Sequence, residues 1–453
     1  MRTTRPSVAV IGGGISGLVA AYRLRRSLGA DAEITIVDHS RRLGGKLRTV
    51  DIGGGPIDVG AEAFIARRPE VPALLAELGL TDQIVYPAGR TPLIWSQDSL
   101  HRLPVGTLMG IPASADAVED LVDDATLARI AAEPERRIDW TPGSDSSVAQ
   151  LVSDRYGDQV VARSVDPLLG GVYSGLAENI GIRAALPTLA AALDAGARSL
   201  SEAVSAALPT PAPGPVFGAL KDGYGVLLDA LREAAAAHVV HAEAGVVRAD
   251  GSRWFIDPVG AVDAIVLAVP APNAAVLLAD VAPQVARIAA RIELASSAVV
   301  AMRLPGNVEL PENSGILVAT DADLTAKAFT LSSRKWTHLA DRGEHLVRAS
   351  FGRFGAADIV DRADDELIAL ARADLATVTG ITASPAASFV QRWHGGLPQY
   401  APGHVQKVAE IEQSVAALDG IEVAGSWLHG VGVPACVATG TTAATRIFER
   451  VAR

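Results

Sequence analysis

Hydrophobic positions along this chain follow two periods, and the changes from one to the other mark its elements. Residues 8–11, VAVI, form an unbroken apolar run, the pattern of a buried strand. Past three glycines, LVAAYRLRR carries apolar residues at helical spacing, with Leu18 and Tyr22 on successive turns. ITIVDHS, residues 34–40, reads as a second strand. Residues 70–137 read as helical patterns broken by prolines: EVPALLAELGL is one amphipathic helix, and 114–137 is a longer acidic helix or a pair. Residues 146–169 open on serines suited to a helix N-cap and read as one or two helices. Residues 216–235 give strand, glycine turn and helix; 239–250 and 253–260 give short strands; 261–272 give a buried strand ending in proline. Apolar-polar alternation at 296–304, 315–320, 327–336 and 344–354, with a helix at 365–380, reads as a mixed sheet. Residues 421–451 read as strand, glycine loop and long helix.

At 453 residues the chain suggests two or three domains and a large core. The net charge of −11 argues against nucleic acid and against an anionic membrane as electrostatic partner. The apolar run at 264–279 is too short to span a bilayer and contains two prolines, so no stable membrane insertion is expected. MRTTRPS is too short to hold the apolar region of a signal peptide. The single cysteine, Cys436, excludes an internal disulfide and a cysteine metal cluster, and the nine histidines show no ligand spacing. No metal is expected, and the location expected is cytoplasmic. Residues 209–216, PTPAPGPV, read as a linker.

Chemistry enters with the glycines. Gly12-x-Gly14-x-x-Gly17 lies between a strand and a helix: Gly12 allows the turn, Gly14 lets a pyrophosphate approach the backbone, and Gly17 lets helix and strand pack closely. The helix N-terminus offers free N–H groups and a positive dipole end. Asp38, 21 residues beyond Gly17, ends the second strand, where an acid can accept ribose hydroxyls. A solvated aspartate after an ordinary turn is the plainer reading. A second cluster, Gly44, Gly45 and Lys46, brings bare backbone and a cation to the same sheet edge, and Gly60, Ala61, Glu62 and Ala63 add another small-residue approach. A simple nicotinamide dehydrogenase does not call for that cluster; extended FAD does. Only one such glycine unit is present, so the expected flavin takes electrons from substrate and passes them to a diffusible acceptor.

With Thr49, these residues resemble the N-terminal signature of the flavin amine oxidase and protoporphyrinogen oxidase superfamily. Asp38 stands where such proteins usually carry Glu, and Lys46 where many carry Arg; both keep the charge. Residues 167–189, with Pro167, Gly171, Tyr173, Gly175 and Pro187, and residues 389–405, with WHGGLPQY, resemble the porphyrinogen oxidases rather than the amine oxidases, and among them the bacterial, Gram-positive type. The resemblance covers effectively the whole chain. It implies a mixed α/β fold: a Rossmann-like FAD-binding domain from residues 1–85, 216–285 and 391–453, a helical subdomain with part of the substrate domain at 86–215, and a mixed-sheet substrate domain at 286–390.

Carried onto matching positions, it implies FAD contacts at Gly12, Gly13, Gly14, Ile15, Ser16 and Gly17, at Asp38 and His39, at Gly45 and Lys46, at Gly60, Ala61, Glu62 and Ala63, and at the backbone of Val431, Gly432 and Val433. Val246 would meet the adenine from a short strand or simply face the core; Trp393 would pack by the flavin or in the core. Cys436 reads as a small buried hydrophobe. No catalytic side chain is implied, because the chemistry is centred on the flavin: successive hydride transfers to its N5 from a porphyrinogen, coproporphyrinogen III first and protoporphyrinogen IX second, with oxygen as acceptor. A haem-pathway ferrochelatase would act downstream. Arg68, and beside it Arg67, would anchor substrate carboxylates, or else they are solvated residues before the helix after Pro69. A flavin amine oxidase and a non-enzymatic binding protein like the Rab GDP-dissociation inhibitors are the competing classes. The few aromatics argue against the first, and the intact glycines against the second.

Overall fold

The computed structural model describes residues 5–210 and 213–452. Of the linker read at 209–216, residues 211 and 212 lie outside the described residues.

Five short apolar runs from three distant parts of the chain build one parallel sheet. They are β1 (Ser7–Ile11), β2 (Glu33–Asp38), β3 (His238–His241), β4 (Ala264–Leu267) and β5 (Ile421–Val423), in the order β3-β2-β1-β4-β5. Val8 to Ile11 pair with Ala264 to Leu267 on one side and with Ile34 to Val37 on the other. Parallel strands covered on both faces must be apolar throughout, which is why VAVI and AIVL show no alternation. One face packs on α1 (Ile15–Leu28), α2 (Gly225–Ala235) and α3 (Val433–Val451). The other packs on the helices Ala271–Leu277, Pro283–Ala289 and His404–Ala416.

The second sheet has seven strands around the 11-residue strand Leu294–Leu304. That strand pairs antiparallel with His345–Phe351 on one side and with Ala387–Pro398, which carries Trp393, on the other. Gly315–Val318 pairs parallel with Leu93–Ser96, so the sheet is mixed. The helix Asp364–Thr379 covers one face. The helical reading of residues 70–137 fails at 93–102, where Leu93–Ser96 and Ser99–Arg102 form an antiparallel hairpin. Its two turn residues, Gln97 and Asp98, take φ of 51° and 55° without a glycine, so the usual hairpin signal is missing. The acidic stretch 114–137, read as one helix or a pair, is divided: a short helical turn at Ala115–Val118 is followed by the helix Asp124–Ala132, started by Asp123 accepting from Thr126 N at 2.8 Å.

A third core joins that helix to Val148–Arg155, Asp166–Tyr173, Pro187–Asp194 and Leu200–Ala207. Among the described residues no helix is long and apolar enough to cross a membrane.

Candidate functional site

The turn from β1 to α1 has no room for side chains behind it. Gly12 has φ +102°, and a Cβ there would stand 2.5 Å from Ala268 O. A Cβ on Gly17 would stand 1.9 Å from Gly12 O. Gly14 differs: it is the N-cap of α1 and brings no side chain to cap it, and a Cβ on it would meet only Gly45 Cα, at 3.8 Å. The first turn of α1 holds no acid and no side chain caps it, so the helix itself does not offset the positive end of its dipole. Asp38 is fixed beside them: Oδ2 accepts from Gly13 N at 2.7 Å and Oδ1 from Ser40 N at 2.8 Å. His39 is exposed, its ring 3.7 Å from Asp38.

The second glycine pair closes against the first. Gly44 N donates to Gly13 O at 2.7 Å, and Gly14 and Gly44 form a bridge. Gly44 and Gly45 have φ of +112° and +56°, conformations glycine adopts without strain. Lys46 follows, its ammonium pKa lowered by burial, with no carboxylate within ion-pair distance among the described residues. Cys436, in the first turn of α3, lies against Ser16 in the first turn of α1 and near Lys46; burial pushes its thiol up. The two helix N-termini therefore converge on Lys46. The N-cap of α3 is Gly432, again uncapped, with no acid in the first turn, and a Cβ there would meet only Pro434 Cδ at 3.7 Å. Val433 is buried and Val431 half-buried against the helical subdomain.

Tyr400 holds the loop before α3. Its hydroxyl donates to Ser426 O at 2.6 Å and accepts from Gly430 N at 2.7 Å. Its ring stacks on His404 and leans on Tyr173, with centroids 3.9 Å and 5.6 Å away.

Gly60 is the third backbone approach. A Cβ there would stand 2.1 Å from Lys46 O and 3.2 Å from Trp393 Cζ2. Trp393 Nε1 donates to Val59 O at 3.1 Å, so the half-buried indole is seated on the backbone at 59–60 rather than enclosed in a core. Glu62 turns into a network that periodicity does not reveal. It accepts from Ser332 Oγ and pairs with Lys335 Nζ, both at 2.8 Å, and Arg348 lies 3.6 Å away while donating to Gly60 O. Burial opposes its ionisation, but Lys335 and Arg348 prevail and hold its pKa at about 2. Only the local segment LSSRKW, read as part of a strand, held any signal of these partners; it folds as strand Ala328–Leu331 and helix Ser332–Lys335.

Asp58 is the second buried acid here. It accepts from Thr49 Oγ1 at 2.5 Å and from Tyr224 N, capping α2 from outside. Burial raises its pKa to about 7, against those hydrogen bonds. Because the folded value exceeds the unfolded one, near 4, the stability of the neutral form is present below about pH 4 and is lost as pH rises to 7. Urea midpoints of wild type and Asp58→Asn, measured from pH 4 to pH 8, should separate as pH rises, with the Asn variant losing less; parallel curves would contradict this.

Val246 is not on a strand; it sits half-buried in the stretch 243–247, while its neighbour Val247 is in the core and donates to Leu277 O at 2.9 Å. Arg67 is exposed and donates to Gly214 O at 3.0 Å. Arg68 pairs with Glu70 and holds that carboxyl below its usual range.

Two uncapped glycine N-termini and an unpaired, half-buried lysine, with a fixed aspartate as acceptor, form a set suited to an extended dinucleotide with a diphosphate. The arrangement also fits what the chain is similar to. The family model of flavin containing amine oxidoreductases matches residues 15–448. The coproporphyrinogen III oxidase of Mycobacterium tuberculosis is 52% identical, over 98% of each chain. That of Mycobacterium leprae is 51% identical, over 99% of this chain and all of the relative. A crystal structure from Exiguobacterium sp. 255-15, provisionally described as a protoporphyrinogen oxidase, superposes with a TM-score of 0.86 at 28% identity, covering 98% and 99% of the two chains.

Proposed function

Because the chain belongs to the family of flavin containing amine oxidoreductases, with FAD as its cofactor, we propose that it oxidises coproporphyrinogen III to coproporphyrin III with oxygen as acceptor. The observation that carries this reading is the full-length identity to enzymes of that name in two mycobacteria. Bound FAD supplies a two-electron acceptor, so full aromatisation of the macrocycle takes repeated turnovers.

The chain's own residues do the holding. The first turn of α1 and Lys46 bind the diphosphate, and Asp38 takes the adenosine ribose. The first turn of α3, behind Gly432, offers N–H donors and a positive dipole end to negative charge on the ring system. Trp393, seated on the Val59–Gly60 backbone, and Tyr400, bracing residues 426–430, keep the ring's surroundings in place. Glu62, held by Lys335 and Ser332, acts through position: it ties the stretch after Gly60 to the helix Ser332–Lys335, which follows a strand of the seven-stranded sheet. The product, still a free-base porphyrin, suits a metal-inserting ferrochelatase downstream, and the reaction belongs in the cytoplasm.

Anaerobic addition of coproporphyrinogen III to the purified yellow protein tests the reading. The flavin absorbance should bleach and return on admitting oxygen; an unbleached flavin overturns it. Protoporphyrinogen IX is the second reading, favoured by the likeness to the Exiguobacterium structure. We assign Arg68 to a substrate carboxylate. Glu70 already occupies its guanidinium, so the expected loss on Arg68→Ala is at the low end for a charged hydrogen bond, about 1.5 kcal/mol or roughly tenfold in kcat/KM. An unchanged kcat/KM removes Arg68 from the site.

A further inference from the structure

Two cations without an ion-pair partner meet where the helical subdomain touches the end of the seven-stranded sheet, with Asp166 attracting Arg353 only from longer range. The helix Asp166–Tyr173 stops at Ser174, held in the left-handed region at φ 49°. Lys327 Nζ donates to Ser174 Oγ at 2.5 Å and to Gly352 O at 2.8 Å, which leaves one of its three hydrogens over. Arg353, the next residue after Gly352, reaches only Val318 O, at 3.5 Å, and its buried Nε has no acceptor. Among the described residues no carboxylate lies within ion-pair distance of either cation. The nearby acid, Asp166, is already committed: Oδ1 accepts from Ala177 N at 2.7 Å and Oδ2 from Thr320 Oγ1 at 3.0 Å.

Buried cations normally have a partner, because desolvation without one is costly. Burial lowers the pKa of Lys327 to about 7, with Arg353 adding to the effect, and burial lowers Arg353 in turn. The protein carries 51 acidic residues against 40 basic ones, so two bare cations in one corner are not a shortage of acids. The same helix offers open apolar surface beside them. A Cβ on Gly171 would meet nothing within 4 Å, and Val172 is 40% exposed. A flat apolar body with a carboxylate at its edge matches this combination: the arginine fork and the lysine ammonium meet the anion, and the Gly171–Val172 face meets the body.

We infer that Lys327 and Arg353, with the Ser174 hydroxyl, form a carboxylate subsite that takes one propionate of the substrate. The inference rests on the porphyrinogen reading above. In steady-state assays of the FAD-loaded protein with coproporphyrinogen III, Lys327→Met and Arg353→Met should each raise KM about ten- to hundredfold, the range for losing a charged hydrogen bond, and leave kcat within about threefold. Flavin content and Tm should stay near wild type, and the charge-keeping variants Lys327→Arg and Arg353→Lys should recover much of the KM. KM within twofold of wild type in FAD-loaded Met variants overturns the subsite. So does a KM no better in the charge-keeping variants than in the Met variants. Should a Met variant fail to hold FAD, the polar, uncharged Gln variant at the same position replaces it: FAD-loaded, it must show the raised KM for the subsite to stand, and a KM within twofold of wild type overturns it. Turnover by wild type judges the porphyrinogen reading separately, and if only protoporphyrinogen IX is turned over, the same KM ratios are taken on that substrate.

Discussion

Gly14→Val should give a folded protein that purifies without flavin. Gly14 has φ −72° and ψ 179°, which valine adopts freely, and its Cβ would meet only Gly45 Cα at 3.8 Å. The fold therefore tolerates the change. The isopropyl group, however, stands in the open space before the N-terminus of α1, where a diphosphate must come close to the backbone. The expected result is loss of the yellow colour and of bound FAD, with a lower Tm because ligand binding no longer adds to stability. That linkage is worth about 4 kcal/mol when ligand stands at 1,000 times Kd. Gly17→Ala is the contrast: its Cβ would stand 1.9 Å from Gly12 O, so it should damage the fold itself. Stoichiometric FAD on Gly14→Val, read from the absorbance spectrum, would remove the diphosphate from this turn.

The largest stability effect should come from Glu133→Ala, in the helical subdomain. Glu133 is 0% exposed and accepts from Leu200 N, Ser201 N, Ser201 Oγ and Arg155 Nε at 2.7 to 3.0 Å. It thereby caps the helix Leu200–Ala207 and neutralises Arg155, whose side chain is 5% exposed. Alanine would leave a buried guanidinium without its counter-charge, at a cost of about 3–5 kcal/mol. Urea denaturation checks this, and a loss below about 1 kcal/mol would contradict it. Burial works against the carboxylate, yet the backbone donors of Leu200 and Ser201, the Ser201 hydroxyl and Arg155 together hold its pKa below the usual range. The folded value is depressed, so this stability is present above the unfolded pKa, near 4.3, and is lost as pH falls through the folded one.

What the amino-acid sequence made legible was local. The β1 turn, α1, Asp38 and the long helix α3 were readable because a short apolar run, a glycine spacing and a helical period each sit within a few turns of chain. Their convergence through Ser16, Cys436 and Lys46 was not, since the contacts join residues some 400 positions apart. The small residues at 60–63 were readable as a third approach, whereas Trp393 came only from the resemblance to porphyrinogen oxidases, since no period contains it. The hairpin at 93–102 was missed because Gln97 and Asp98 carry positive φ without glycine. Val246 was read onto a strand because HVV and VVR look alike in propensity; pairing with β2 ends at His241, and nothing in the local pattern says so. Lys335, Arg348, Lys327 and Arg353 escaped for one reason: isolated basic residues on sheet strands and their ends look solvated until the fold shows which of them face an acid and which face none.

The most direct test of the account compares kcat/KM for coproporphyrinogen III and protoporphyrinogen IX on the FAD-loaded protein, followed by porphyrin fluorescence with oxygen as acceptor. The account predicts turnover of both to be flavin-dependent, if protoporphyrinogen is taken at all, and coproporphyrinogen to be clearly preferred. Equal or better activity on protoporphyrinogen IX would contradict it.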